Sequence, residues 1–156
     1  MMAISGGTQA NYTGNALEQY VEHRLVTARY ARVRPQQFEP AIYNEQPIYT
    51  RRFHAGTSIY GTPIYADFAI YHPQRWPDCL IIEAKWQQVG GSVDEKYPYL
   101  VLNIQNCYCY PTILLLDGKG YKRGAEQWMR GQAGNKNLLR VFNMVEFQTW
   151  ANKGNI

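Results

Sequence analysis

A mixed α/β (α+β) fold, with a central mixed β-sheet flanked by helices in the order αβββαβ and C-terminal additions, is what the sequence predicts. Three observations predict it. Helical three-and-four spacing early in the chain gives way to three successive stretches rich in β-branched and aromatic residues. A second helical pattern then follows a glycine-rich loop. After it comes a strongly apolar run bounded by turn residues, the mark of a buried strand. With 156 residues, 46% hydrophobic and 18% charged, the chain has room for one domain with a real core and not for two.

The elements follow in order. Residues 1–14 are small and polar and read as a mobile leader, with the folded domain expected over 15–156. Leu17, Tyr20, Val21 and Leu25 mark one buried face of a helix from about Asn15 to Tyr30. Residues 32–46, rich in proline and polar side chains, are expected as extended loop. The stretches 47–54, 64–71 and 79–86 are three strands, the third apolar on both faces in its first half and therefore central. Ser92 with Glu95 forms a capping-box signature for a helix reaching about Asn106, with Pro98 a possible later start. A fourth strand over 111–117, a helix over 124–132, a short strand over 138–142 and a helix over 144–151 complete the chain.

Composition narrows function. No run approaches the roughly 18 apolar residues of a membrane span, and the N-terminus lacks the pattern of a signal peptide, so a cytoplasmic protein with no membrane partner is expected. Cys79, Cys107 and Cys109 include no C-x-x-C pair, which suggests neither a disulfide framework nor a closed zinc site. The net charge of +4 favours polyanionic partners. Its distribution says more. Six Arg lie between Arg24 and Arg52, and six Lys or Arg between Lys119 and Arg140, whereas Asp67, Glu83, Asp94 and Glu95 occupy the middle. A basic frame around an acidic centre suits a metal-dependent enzyme acting on a phosphate backbone.

The third strand ends in Glu83-Ala84-Lys85. Strand alternation sends Glu83 and Lys85 to one face, about 6.6–6.8 Å apart along the chain. Asp67, on the preceding strand, can be brought beside Glu83 by the connection through residues 72–78. Two carboxylates suit Mg²⁺, which keeps several waters and takes few protein ligands, and Lys85 would stand next to a metal-bound water.

An acid on one strand of a hairpin followed by Glu83-Ala84-Lys85 on the next resembles the PD-(D/E)XK nuclease superfamily, which includes type II restriction endonucleases and Holliday-junction resolvases. The resemblance covers roughly residues 15–117 and implies a restriction-endonuclease-like core. It further implies that Glu18, in the leading helix, joins the metal site or holds a ligand through water. Ala66 stands where the family motif often has proline. The literal Pro77-Asp78 lies only five positions before Glu83 and is assigned to the turn, so Asp67 is preferred.

The expected catalytic set is thus Asp67, Glu83, Lys85 and Glu18, with Asp67 and Glu83 as metal ligands, Mg²⁺ as cofactor and Mn²⁺ able to substitute. Gln87 continues the alternation and is a candidate for binding water or a phosphate oxygen; Lys96 is a candidate second cation. Arg51, Arg52 and His54, with Lys119, Lys122 and Arg123, are candidates for backbone contact. Tyr60, Tyr65 and Tyr99 are among the tyrosines flanking the acidic centre, where a few could stack on bases. The function expected is Mg²⁺-dependent DNA endonuclease, with a homodimer supplying one site per strand. The alternative is an inactive nucleic-acid-binding or assembly module of the same fold. For Glu83 and Lys85 the competing assignment is an exposed ion pair, and for Glu18 it is an acid favoured by the dipole of a helix's first turn.

Overall fold

The apolar run 80–82 builds the centre of the molecule, because residues apolar on both faces must be covered on both sides. In the computed structural model, which describes residues 6–156, Leu80, Ile81 and Ile82 are fully buried in a strand that is interior to a six-stranded sheet. The elements are α1 (Gly6–Thr27), β1 (Ala31–Arg32), α2 (Pro35–Ala41), β2 (Ile48–Thr57), β3 (Pro63–His72), β4 (Trp76–Trp86), α3 (Tyr97–Asn106), β5 (Thr112–Asp117), α4 (Arg123–Gly131), β6 (Leu138–Phe142) and α5 (Met144–Trp150). Short 3-10 turns occupy Ile42–Asn44 and Ser92–Lys96, and a wide turn over Ala151–Asn155 follows α5.

The strands lie in chain order, β1 to β6. β2, β3 and β4 form an antiparallel meander, while β4, β5 and β6 run parallel through crossovers carrying α3 and α4. The sheet is therefore mixed, as predicted. On one face Leu17, Val21 and Leu25 of α1 pack against Phe68, Ile70 and Leu80, with Phe147 of α5 closing the layer. On the other, Val101 and Ile104 of α3 and Met129 of α4 cover Ile81 and Leu114.

Three expectations are corrected. The first helix begins at Gly6 rather than near Asn15, so part of the expected leader is helical, and residues 1–5 lie outside the described residues. Residues 32–46 are not extended throughout. Pro35 at the first helical position has its φ preset for a helix and loses no needed N–H, so α2 forms and anchors itself through buried Phe38. Around residue 92 the chain makes a 3-10 turn before α3, which starts at Tyr97 with Pro98 in its first turn. The Ser92 half of the expected capping box lies outside the described side chains. A capping box does form at α5, where Asn143 accepts from the Glu146 N–H and Glu146 accepts from the Asn143 N–H.

Candidate active site

β3 and β4 pair at Phe68↔Ile82, and past that rung the strands part. From Glu83 onward β4 pairs with β5 alone, through Glu83↔Leu114, Ala84↔Leu115 and Lys85↔Leu116. Asp67 stands at the fork. Its Oδ2 accepts the backbone N–H of Ala84 at 2.9 Å, in place of the missing ladder bond, and a hydrogen bond from Lys85 Nζ at 3.1 Å. Lys85 Nζ also donates to Glu83 Oε2 at 3.0 Å. One ammonium thus sits between two carboxylates on adjacent strands. The other Glu83 oxygen, Oε1, accepts from Tyr108 Oη at 2.5 Å.

Burial sets the electrostatics. The Glu83 side chain is 2% exposed. Loss of water pushes its pKa up, the Lys85 charge pulls it down, Asp67 pushes it up again, and the result is about 7. Burial would depress Lys85, but Glu83 and Asp67 outweigh that and hold its pKa above the ordinary lysine value. Burial would likewise raise Asp67; Lys85, Glu83 and the Ala84 N–H overcome it and keep the group below the ordinary carboxylate range.

Glu18 approaches from α1. Because α1 begins at Gly6, Glu18 lies well inside the helix, so first-turn dipole stabilisation does not explain it. It is ion-paired with Arg51, and Arg51 also meets Glu22, one helical turn further along α1, at 3.3 Å. Burial raises the Glu18 pKa and the Asp67 charge adds to it. Glu22 further accepts from Tyr49 Oη and Arg32. A cleft of about 490 Å³ opens between this cluster and Asp67, lined by Glu18, Arg32, Arg51, Arg52 and Tyr65.

The chemistry of the donor set fits a hard divalent cation. Asp67 and Glu83 already converge on one positive charge, and both offer oxygen. Among the described residues no group of three or more His, Cys, Asp and Glu side chains is gathered for a metal. A divalent cation held by these two carboxylates would keep positions for water and substrate oxygens.

The remaining residues sort by placement. Gln87 falls beyond the end of β4, where the alternation lapses. It is buried, donating to the carbonyls of Val89 and Gly120 and accepting from Tyr97 Oη, so it braces the following loop instead of facing water or phosphate. Gly118 packs against it: at φ 102°, a Cβ there would lie 2.1 Å from the Gln87 carbonyl oxygen. Arg51 is engaged with α1 and stacks over the Phe68 ring at 5.1 Å, which leaves its charge matched within the protein. Arg52 is exposed at the edge of the cleft, and Lys96, Lys119, Lys122 and Arg123 are exposed as well. The loop carrying Lys119 and Lys122, which leads into α4 at Arg123, is fixed near Lys85, because Tyr121 Oη donates to the Lys85 carbonyl at 2.9 Å. Asp78 is exposed on the far half of β4 from the fork. Asp94 accepts the Lys122 N–H and does not join the two carboxylates.

Sequence reasoning missed Tyr108 and Glu22. Glu22 had a signal, since it lies four residues from Glu18 on the same helical face. Tyr108, past the end of α3, had none.

A family model described as PD-(D/E)XK nuclease superfamily domain matches residues 9–155. The chain belongs to the PD-(D/E)XK nuclease superfamily. The six-stranded mixed sheet flanked by helices is consistent with the superfamily fold. No curated protein and no solved structure matches the chain. Members of the superfamily are typically nucleases that use divalent metals, and no helix among the described residues is long and apolar enough to cross a membrane.

Proposed function

We propose that this protein is a Mg²⁺-dependent endonuclease that hydrolyses DNA phosphodiester bonds. The observation that carries the reading is the Lys85 ammonium, held within 3.0–3.1 Å of carboxylates on two strands that have just parted. An exposed surface pair would not need a backbone N–H, a buried tyrosine hydroxyl and a broken ladder to hold it.

In this reading Asp67 and Glu83 hold the cation, which when bound supplies positive charge to the phosphate oxygens. Lys85 holds the attacking water and neutralises charge growing on the phosphoryl oxygens. The water gives up a proton to solvent as its oxygen forms a bond to phosphorus, one ester P–O bond breaks, and the departing oxygen takes up a proton. Glu18 stands behind Asp67, paired with Arg51, and acts on the site through water. Arg52, Lys119, Lys122 and Arg123 dock the nucleic-acid backbone, with Lys96 as a second cation near the reacting phosphate. Because each chain offers one such fork, cutting both strands of a duplex calls for two copies, and we assign the protein to homodimers.

The test is cleavage of plasmid and branched DNA by purified protein in Mg²⁺, Mn²⁺ or EDTA. Metal-dependent cleavage that Lys85→Ala abolishes, with an unchanged circular dichroism spectrum, is the expected result. Substrates left uncut in both metals overturn it and leave a binding module of the same fold. Light scattering at working concentration separates dimer from monomer.

A further inference from the structure

Strand β2 changes face at Arg52. Tyr49 packs into the α1 core and Arg51 reaches α1, yet Phe53 and Ala55 pack into the opposite core although they continue the same odd-numbered series. The switch falls on Arg52, which adopts the left-handed φ of 53° between the rungs Arg51↔Phe68 and Phe53↔Ala66. A non-glycine residue in that region is strained, and such strain persists where surrounding structure enforces it, often at functional sites. Its consequence is local. Arg52 is exposed beside Asp67 with no ion-pair partner among the described residues, and the next rung, His54↔Tyr65, carries two exposed rings 5.6 Å apart.

Those side chains line a continuous groove. The cleft at Asp67 shares Arg52 and Tyr65 with a neighbouring cavity of about 410 Å³, and shares Arg32 and Arg51 with a third of about 300 Å³ that includes Arg34. Pro35 lies in both of the outer cavities. Each is in the size range of sites that take one small ligand. Tyr65 is 61% exposed and lies two positions before Asp67 on β3, about 6.6–6.8 Å along the strand, a spacing that one extended nucleotide spans. A groove with arginines for phosphates and a flat ring for bases is how single strands are held without sequence preference.

We propose that this groove binds an unpaired DNA strand and feeds it to the fork between β3 and β4, with a base stacked on Tyr65 and His54 and flanking phosphates on Arg52 and Arg34. The proposal rests on the nuclease reading of that fork and names its substrate as DNA with a single-stranded segment. Tyr65 then sets which strand form is accepted.

The test is fluorescence anisotropy of a labelled 12-nucleotide single strand and a blunt hairpin duplex, in EDTA so that nothing is cut. The single strand is expected to bind at least about tenfold tighter. Tyr65→Ala is expected to weaken single-strand binding roughly tenfold and duplex binding less than twofold, with Tyr65→Trp restoring it. Arg34→Gln is expected to flatten the salt dependence of single-strand binding by about 0.7 in log–log slope, the loss of one phosphate contact. Equal affinity for the two forms, or single-strand affinity unmoved by Tyr65→Ala in folded protein, overturns the proposal. Cleavage is scored separately. Metal-dependent cutting without strand preference in binding defeats the groove and spares the nuclease reading; strand-selective, Tyr65-dependent binding without cutting spares the groove and defeats the nuclease reading.

Discussion

Two clusters in this protein have the same formal composition, one base between two acids, and behave differently. Arg51 sits between Glu18 and Glu22, with all three side chains 21–26% exposed. Lys85 sits between Asp67 and Glu83, with the Glu83 side chain 2% exposed and the group's pKa lifted to about 7, chiefly by burial. The arginine cluster joins two elements, α1 and β2, through a fork of donors that water partly screens. In the lysine cluster water barely reaches Glu83, though it reaches Asp67, which is 20% exposed, and the two carboxylates are fastened by the Ala84 N–H and the Tyr108 hydroxyl. Charge count does not separate the two clusters. The burial of one acid, Glu83, does separate them.

The sharpest way to test that contrast is to neutralise one acid in each cluster. Glu83→Gln keeps the shape and an acceptor for Tyr108 but removes the charge, and is expected to lower kcat/KM for DNA cleavage by at least about a hundredfold. Glu22→Gln is expected to change it less than about threefold. Similar losses for both would erase the distinction.

Next in size is Tyr108→Phe. Removing the donor to Glu83 leaves in place both carboxylates proposed to hold the metal, and loss of a hydrogen bond to a metal ligand costs about 10–100-fold in metal affinity. A loss near tenfold in Mn²⁺ affinity by calorimetry is expected.

The pH dependence follows from the same burial. A cation needs Glu83 ionised, and with a pKa near 7 the group is largely protonated below that value. Metal affinity should therefore rise with pH up to about 7, approaching tenfold per unit on the acid side, and level off above it, with proton release on binding. Titration in buffers of differing ionisation enthalpy checks this. An affinity flat between pH 5 and 8 would mean that Glu83 is not a ligand.

The smallest effect belongs to the arginine cluster. Arg51→Met removes a half-exposed fastening, and a loss of about 1 kcal/mol is expected. That corresponds to roughly 2–4 °C in Tm for a chain of this length. High salt should narrow the gap between variant and parent.

The order of strands and the meeting of Asp67 with Glu83 and Lys85 were legible because strand periodicity is local: an apolar run that turns polar at Glu83 announces both a central strand and its polar end. What stayed hidden was hidden for physical reasons. The first turns of α1 run through Gly6, Gly7 and Gly14 with no apolar stripe, and their helicity cannot be read from pattern. Pro35 and Pro40 read as breakers although one starts a helix. Arg51 read as a phosphate contact because a linear charge run does not reveal that two acids of α1 lie across from it. Gln87 was placed by an alternation that ends one residue before it. Tyr108 reaches Glu83 across 25 positions of chain, with nothing in between to signal the contact.

The bond from the Ala84 N–H to Asp67 has an evolutionary consequence. Asp67 both serves the fork and completes the hairpin where a ladder rung is missing, so a lineage that gives up catalysis cannot freely discard it. Alanine there would orphan an interior N–H at about 1–3 kcal/mol, whereas asparagine keeps the acceptor. Lys85 and Glu83 carry less backbone debt. Inactive descendants are therefore expected to lose those two first and to hold Asp or Asn at position 67 long afterwards. A survey that scored living nucleases by this acid alone would count many of the dead among them.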